Sequence, residues 1–199
     1  MSGIERFVRC KNIPFMPKKL FCCCLSLIIS AAVHSVYAQV EVAHLFSKGL
    51  SATGGGLFLH GGVPVSRAGE ISIEAGLYYF TANDSHLASA PCLVGYRHSI
   101  DGTGTGFYIE PLVGYTFGGT DIQKTDAAGN PLYNSSGGEI DQKISGPTAG
   151  MGIGYIIPSA TIPLNFGLRY ERVFISGDPS QNMISFRISY SLSVGRKMR

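Results

Sequence analysis

The segment Tyr96-Arg97-His98-Ser99 is the one local cluster in this sequence that is similar to part of an enzyme site. A histidine that hydrogen-bonds to a serine can take the hydroxyl proton and make the oxygen a nucleophile for acyl transfer. His98 and Ser99 are adjacent, however, and adjacent residues of a β-strand point to opposite faces of the sheet. We therefore predict no catalytic residue here: His98 occupies an outer surface and Ser99 opens a turn.

The other residues that bind metals or cofactors are scattered along the chain. His44, His60 and His86 lie on separate predicted elements without metal-ligand spacing, and we interpret them as a strand, an interior and a loop residue. The run Gly102-Thr103-Gly104-Thr105-Gly106 lacks the lysine and the following helix of a phosphate-binding loop, so it predicts a hairpin turn. After the first forty residues Cys92 has no second cysteine to pair with. We predict no metal site, no disulfide and no cofactor.

Charged residues on the polar faces of the predicted strands form the strongest candidate site. They are Glu74, Arg97, Glu110, Arg169, Glu171 and Arg187, three acids and three bases whose formal charges sum to zero. Arg97 lies on a predicted strand between those of Glu74 and Glu110, and Arg187 neighbours the strand of Arg169 and Glu171. Because an unpaired buried charge is costly, we predict that the six, with His60 nearby, form an ion-pair network that fills a closed interior.

The elements that position these charges are strands. Segments of about ten residues alternate between apolar and small or polar residues, and they match the length of a tilted strand that crosses a bilayer. The predicted strands are Val40–Phe46, Ala52–Val65, Glu70–Ala82, Pro91–Ser99, Phe107–Gly118, Lys143–Ile157, Ile162–Ser176 and Met183–Val194. The weakly alternating Val40–Phe46 is included because barrels of this kind close with an even number of strands.

Eight strands place the connections at two ends of the barrel. Ser66–Gly69, Ile100–Thr105 and Ser159–Thr161 form short turns at one end; Ser47–Ser51, Asn83–Ala90, Gly119–Gln142 and Gly177–Asn182 form loops at the other. Binding residues usually lie on long loops of a rigid scaffold, so 119–142 is the predicted binding segment. Its acidic residues give it a local charge of −3, which favours a solvated loop over a weak cation site.

Alternation is typical of both a membrane barrel, whose apolar face points outward, and a soluble ligand-binding barrel, whose apolar face points inward. Here the polar face is mostly glycine, serine, threonine and asparagine, and Lys48, Lys124, Lys143 and Lys197 all fall in loops, the tail or a strand's first position. Small residues suit a narrow interior better than a water-facing surface. We therefore predict an all-β fold, an eight-stranded antiparallel up-and-down transmembrane β-barrel, and keep a soluble periplasmic carrier as an alternative.

The first 38 residues have the features of a secretory signal peptide. Lys18 and Lys19 precede the apolar run Leu20–Val33, and Val36-Tyr37-Ala38 predicts cleavage before Gln39. We hypothesise that Met16 is the true start, because Met16-Pro17 directly before Lys18 gives a signal peptide of ordinary proportions. The mature domain 39–199 then has eleven basic and twelve acidic residues, a formal charge of −1, so nothing in its charge favours nucleic-acid binding.

With these strands, connections and interior charges, the chain resembles the small outer-membrane β-barrels grouped around the transmembrane domains of OmpX and OmpA. The resemblance implies a Gram-negative outer membrane, a monomer, and lipid, lipopolysaccharide and the barrel assembly machinery as partners. It also implies a non-enzymatic role in surface binding, adhesion or envelope stability. One departure is the C-terminal Gly195-Arg196-Lys197-Met198-Arg199, which replaces the terminal aromatic residue of many such proteins.

A second resemblance concerns Tyr96-Arg97-His98-Ser99. It is similar to the lipid A deacylases, small barrels with histidine, serine and an acid on the lipid-facing surface. That family separates its histidine and serine by one residue, whereas His98 and Ser99 are adjacent. A lipid A-modifying enzyme is therefore the alternative function rather than the leading one.

Overall fold

The structure, a computed structural model, describes residues 35–47, 50–82, 85–120, 132–133, 144–158, 164–177 and 179–192. Eight antiparallel strands form a closed barrel in which each strand pairs with the next and the last pairs with the first. The strands are β1 (Ser35–Ser47), β2 (Leu50–Pro64), β3 (Gly69–Ala82), β4 (Ser85–Ser99), β5 (Gly106–Thr120), β6 (Gly146–Ile156), β7 (Leu164–Val173) and β8 (Gln181–Ser191). The prediction of a closed eight-stranded barrel is confirmed. No helix in these ranges is long and apolar enough to cross a membrane.

The strand register sets the tilt of the barrel. A row of paired residues that starts at Val36 in β1 passes once through all eight strands and returns to β1 at Phe46, ten residues further along. With this stagger and a strand spacing of about 4.8 Å, the strands tilt by roughly 40° from the barrel axis. We call the end with the β2–β3, β4–β5 and β6–β7 connections the turn end, and the opposite end the loop end.

Alternation along each strand separates the two faces of the sheet as predicted. In β8 the inward residues are buried and the outward residues exposed: Met183, Ser185, Arg187 and Ser189 against Ile184, Phe186, Ile188 and Tyr190. Charges and small polar groups therefore lie inside the barrel and large apolar side chains outside. This arrangement is the reverse of a soluble barrel and suits a lipid surrounding.

The loop-end half of the interior contains an apolar cluster beside buried polar side chains such as Thr116, Thr148 and Gln181. The cluster consists of Ala43, Leu45, Ala52, Phe58, Tyr78, Phe80, Leu87, Ile144 and Met183. The rings of Phe58 and Tyr78 meet edge to face with centroids 4.7 Å apart. Gly56 and Gly76 make room for them, since a Cβ at Gly56 would collide with both rings and one at Gly76 with the Phe58 ring.

Two predicted segments differ from the structure. The predicted loop Asn83–Ala90 is wrong, because β4 begins at Ser85 and only residues 83–84 separate it from β3. Serine and alanine have little strand preference, and Pro91 lacks an N–H, but pairing with β3 and β5 on both sides holds this stretch extended. The first strand begins at Ser35 instead of Val40, because its early residues pair with both β2 and β8.

The remaining strand ends shift by a few residues. The structure begins β6 at Gly146, ends β7 at Val173 and begins β8 at Gln181. Most of the predicted loop 119–142 lies outside the described residues. The β4–β5 connection is a turn as predicted, and Gly102, Gly104 and Gly106 have φ angles of 73°, 80° and 75° there, a region that favours glycine.

Candidate functional site in the barrel interior

The six charged residues predicted from the sequence all point into the barrel, where each is at most 4 % exposed: Glu74, Arg97, Glu110, Arg169, Glu171 and Arg187. They come from β3, β4, β5, β7 and β8. Each occupies an inward position of its strand's alternation, so the strand period alone aims it at the axis. The strand tilt then brings residues of opposite walls to the same level.

Arg169 is the centre of the loop-end side of this network. Its guanidinium forms ion pairs with Glu41 and Glu74, and it lies 3.0 Å from a carboxylate oxygen of Glu171. The Tyr78 hydroxyl donates to Glu41, and the Gln39 amide donates to Glu74 across 3.0 Å. One guanidinium is thus shared by three carboxylates.

Arg187 links the middle of the barrel to the same network. Its guanidinium pairs with Glu110, donates to the Tyr108 hydroxyl at 3.0 Å, and lies 3.5 Å from Glu74. Tyr108 in turn donates to the Asn165 side-chain oxygen at 2.9 Å. These contacts cross the lumen between β8 and β5, and between β8 and β3.

Arg97 and His60 form the turn-end side. Arg97 lies 3.3 Å from Glu110 and 3.5 Å from Glu70, and its guanidinium carbon sits 4.7 Å from the Tyr108 ring centroid. The two ring nitrogens of His60 are 3.5 Å from Glu70 and 3.4 Å from Glu74. His60 therefore takes the interior position that its strand alternation predicts.

The pairing differs from the sequence prediction in one respect. Partners were expected on neighbouring strands, as Arg97 and Glu110 are, but Arg169 reaches Glu74 and Arg187 reaches Glu110 across the lumen. An eight-stranded barrel is narrow enough for long side chains of opposite walls to meet. The order of the strands along the sequence does not show which side chains meet across the lumen.

Sequence reasoning missed two acids of the interior. Glu41 is 1 % exposed and the Glu70 side chain is 20 % exposed, so the described interior has five carboxyl groups and three guanidinium groups. The expected charge balance is therefore wrong. Glu41 lies between Val40 and Val42, and that alternation within the predicted first strand was the signal that could have placed it inside.

The two ends of the interior differ in access. A cavity of about 200 Å³ opens at the turn end, lined among others by Tyr37, Glu70, Arg97 and Ser99. It ends at the ion-pair network, and the apolar cluster closes the loop-end side beyond it. Within the described part of the chain, packed side chains occupy the space that a water-filled pore would need.

The enzyme-like cluster does not come together. His98 is exposed on the outer face and stacks on Tyr96 with centroids 6.3 Å apart, whereas Ser99 is buried inside. The Ser99 oxygen lies 2.6 Å from an oxygen of Asp101 and 2.7 Å from the Thr105 carbonyl. The hydrogen bond from the Ser99 hydroxyl, and to a lesser extent those from Thr103, hold the pKa of the Asp101 carboxyl below its ordinary value.

His44 and His86 point outward near the loop end. His44 lies on β1 as predicted, but His86 lies on β4, so its interpretation as a loop residue is wrong. Among the described residues no three histidine, cysteine or acidic side chains are arranged to hold a metal ion.

Comparison with known proteins identifies the fold. No family profile and no curated protein matches the sequence. The attachment invasion locus protein Ail of Yersinia pestis matches with a TM-score of 0.54 and 11 % identity over 79 % of this chain and 97 % of that one. A second Ail structure, in complex with the heparin analogue sucrose octasulfate, has a TM-score of 0.52 at 11 % identity and the same coverage. Neisserial surface protein A has a TM-score of 0.52 and 15 % identity over 78 % of this chain and 95 % of that one. The chain thus has the fold of the small eight-stranded outer-membrane β-barrels, as the resemblance in its sequence implied.

Proposed function

We propose that this protein is an integral, non-enzymatic barrel of a Gram-negative outer membrane, and that its closed interior is a rigid scaffold for loops that make contacts at the cell surface. The observation that carries the proposal is the inverted distribution of side chains. Phe186 and Ile188 are 45 % and 42 % exposed on the outer face, while Arg187 between them is fully buried. An apolar outer face needs lipid around it, since water makes its exposure unfavourable.

The packed interior supports a scaffold rather than a channel. The network residues are nearly inaccessible, and an apolar cluster packs in the loop-end half beside them. A closed barrel with many charge-assisted hydrogen bonds between its walls resists deformation. Its function then belongs to the surface segments, chiefly 119–142, with lipid and lipopolysaccharide around a monomer inserted by the barrel assembly machinery.

The two alternatives have less support. A lipid A-modifying enzyme of the deacylase kind needs a histidine, a serine and an acid on one outer face. His98 and Ser99 lie on opposite faces, and none of the outward side chains described on the eight strands is acidic. A soluble carrier needs an apolar interior and a polar exterior, and the described strands have the reverse.

Membrane fractionation tests the proposal directly. The protein should sediment with the outer membrane, require detergent for extraction, and migrate faster on gels when unheated than when boiled. In planar bilayers it should give no steady large conductance. Recovery in the soluble periplasmic fraction would refute the membrane location, and a stable pore would refute the closed scaffold.

A further inference from the structure

The cavity of about 200 Å³ at the turn end has no part in the proposed scaffold function. It lies between the barrel wall and the connections that follow β2 and β4. The Ser99 amide donates to the Ala68 carbonyl at 2.7 Å, and a Cβ at Gly104 would lie 3.3 Å from the Arg67 carbonyl oxygen. These two turns are therefore in contact, and together they frame the mouth of the cavity.

Charges of both signs line this cavity at different depths. Arg67 is exposed on the β2–β3 turn, the Glu70 side chain is 20 % exposed, and Arg97 is 4 % exposed. A Cβ at Gly62 would collide with the Glu70 carboxyl group, so this glycine lets the carboxylate lie against the barrel wall. A ligand that enters from the turn end thus meets two guanidinium groups and a carboxylate that it can reach.

Arg97 has the capacity to bind a further anion. Its contacts with Glu110 and Glu70, at 3.3 Å and 3.5 Å, are longer than the roughly 2.7–2.9 Å of a strong charge-assisted hydrogen bond. Its Nε atom has no hydrogen-bond partner within the described residues. Buried polar groups of proteins are normally hydrogen-bonded, so these long contacts favour an additional acceptor from the cavity.

The charges and the size of the cavity select among small ligands. A simple anion would be repelled by Glu70, and a simple cation by Arg67 and Arg97, whereas a zwitterion offers each group a partner. The volume is below the range of about 300–1,000 Å³ that is typical of pockets for drug-sized ligands, so the fitting ligand is no larger than an amino acid. Pro64 and Ile156 add apolar surface that suits a small aliphatic side chain.

We propose that the turn-end cavity binds a small α-amino acid, whose carboxylate pairs with Arg67 and Arg97 and whose ammonium group pairs with Glu70. Guanidinium groups match the planar geometry of a carboxylate and bind it through paired hydrogen bonds. In the orientation of the proposed function this cavity opens to the periplasm. The inference rests on that function only for the compartment that supplies the ligand.

The predicted signal-peptide cleavage after Ala38 would leave the three charged residues of this site in place. It would remove Tyr37, whose ring centroid lies 5.5 Å from the His60 ring and 5.9 Å from the Arg97 guanidinium carbon. Tyr37 also lines the cavity, so its loss widens the cavity towards Arg97. The processed protein is therefore the form to test.

Nuclear magnetic resonance of the isotope-labelled, processed protein in detergent micelles tests this site. The probes are L-alanine, propionate, which lacks the ammonium group, and ethylamine, which lacks the carboxylate. We expect L-alanine to shift the Ala68 and Gly104 amide resonances saturably, with a Kd of about 1 mM or below. Propionate and ethylamine should each bind at least about tenfold more weakly, because each leaves one charge of the site without a partner.

Each charged side chain should control one half of the ligand. E70Q should weaken L-alanine binding at least about tenfold but strengthen propionate binding, because the repelling carboxylate is gone. R67A should weaken the binding of L-alanine but not of ethylamine. The matched controls are R172A, on the outer face at the loop end, and E139Q, in the connection 119–142; both should stay within about twofold of the wild-type affinity.

Absence of a saturable shift with L-alanine would overturn the proposal, as would equal binding of the three probes or an equal loss in the control variants. A general structural defect would weaken all three probes together. The heat-dependent gel shift shows whether each variant is folded, and if E70Q is not, R67A on the exposed turn provides the test. Failure of the wild-type protein to fractionate with the outer membrane would instead contradict the proposed function, which a titration in detergent does not measure.

Discussion

Arg169 shares its guanidinium among three carboxylates, and these are not held equally. Glu41 also accepts from Tyr78, and Glu74 also accepts from Gln39. Glu171 approaches Arg169 alone, and its Oε1 atom has no hydrogen bond within the described part of the chain. Since carboxyl groups outnumber guanidinium groups here, Glu171 is the member whose charge stabilises the barrel least.

Substitutions in this group should therefore differ in effect. Arg169→Met leaves Glu41 and Glu74 buried without their main partner and should cost about 3 kcal/mol or more of unfolding free energy. Glu171→Gln keeps the shape and removes one of the excess charges, so it should change stability by less than about 1 kcal/mol. Urea unfolding in detergent measures both changes in stability. Far-ultraviolet circular dichroism is the signal, because the chain has no tryptophan. Equal losses would contradict the unequal roles.

Glycine at position 76 is required by packing rather than by backbone conformation. A Cβ there would meet the Phe58 ring and the Leu57 carbonyl, so Gly76→Ala should destabilise the barrel by about 1–3 kcal/mol. Gly55→Ala is the matched control, because a Cβ there meets only the Glu41 carbonyl oxygen, at an ordinary 3.5 Å. The same unfolding assay compares them, and a larger loss for Gly55→Ala would refute the packing argument.

At the scale of strands, β1 and the predicted signal peptide overlap. β1 begins at Ser35, and the predicted cleavage after Ala38 would remove its first four residues, which pair with Gly62, Gly61, His60 and Leu59. The remainder, Gln39–Ser47, is still about as long as a membrane-crossing strand needs to be. The cleavage site stays a prediction.

Intact mass measurement of the protein from outer membranes tests it. The expected N-terminal residue is Gln39, and Ala38→Phe should block processing because signal peptidases need a small residue at that position. A mature chain that starts at or before Ser35 would show that the complete strand is retained.

The β4–β5 turn is organised around Asp101, which accepts from the Thr103 amide at 3.0 Å and the Thr103 hydroxyl at 2.8 Å. Its pKa lies below the ordinary value, so its contribution to turn stability is complete above the unfolded-state pKa and is lost as the pH falls through the lowered one. Asp101→Asn should therefore shift the Thr103 amide resonance at neutral pH but not in strong acid. A shift that is the same at both pH values would refute the role of the carboxylate.

For the whole molecule, the closed eight-stranded barrel fixes which connections share an end. In a Cys92→Ala background, Ser135→Cys in the long connection should react with a membrane-impermeant maleimide on intact cells. Arg67→Cys, in the exposed β2–β3 turn, should react only after the outer membrane is opened. The reverse pattern would show that the loop end faces the periplasm instead of the cell surface.

The sequence alone determined the strands, their faces and the even strand number, because a period of two residues and the length of the connections are local properties. It placed Arg169, Glu74 and Arg187 inside for the same reason. Only the closed structure decided that Arg169 meets Glu74 across the lumen, that Ser85 already belongs to β4, and that Glu41 and Glu70 join the network. These features depend on barrel closure and on the ten-residue stagger, which bring together side chains that are far apart in the chain. A local sequence pattern does not show which of these distant residues come into contact.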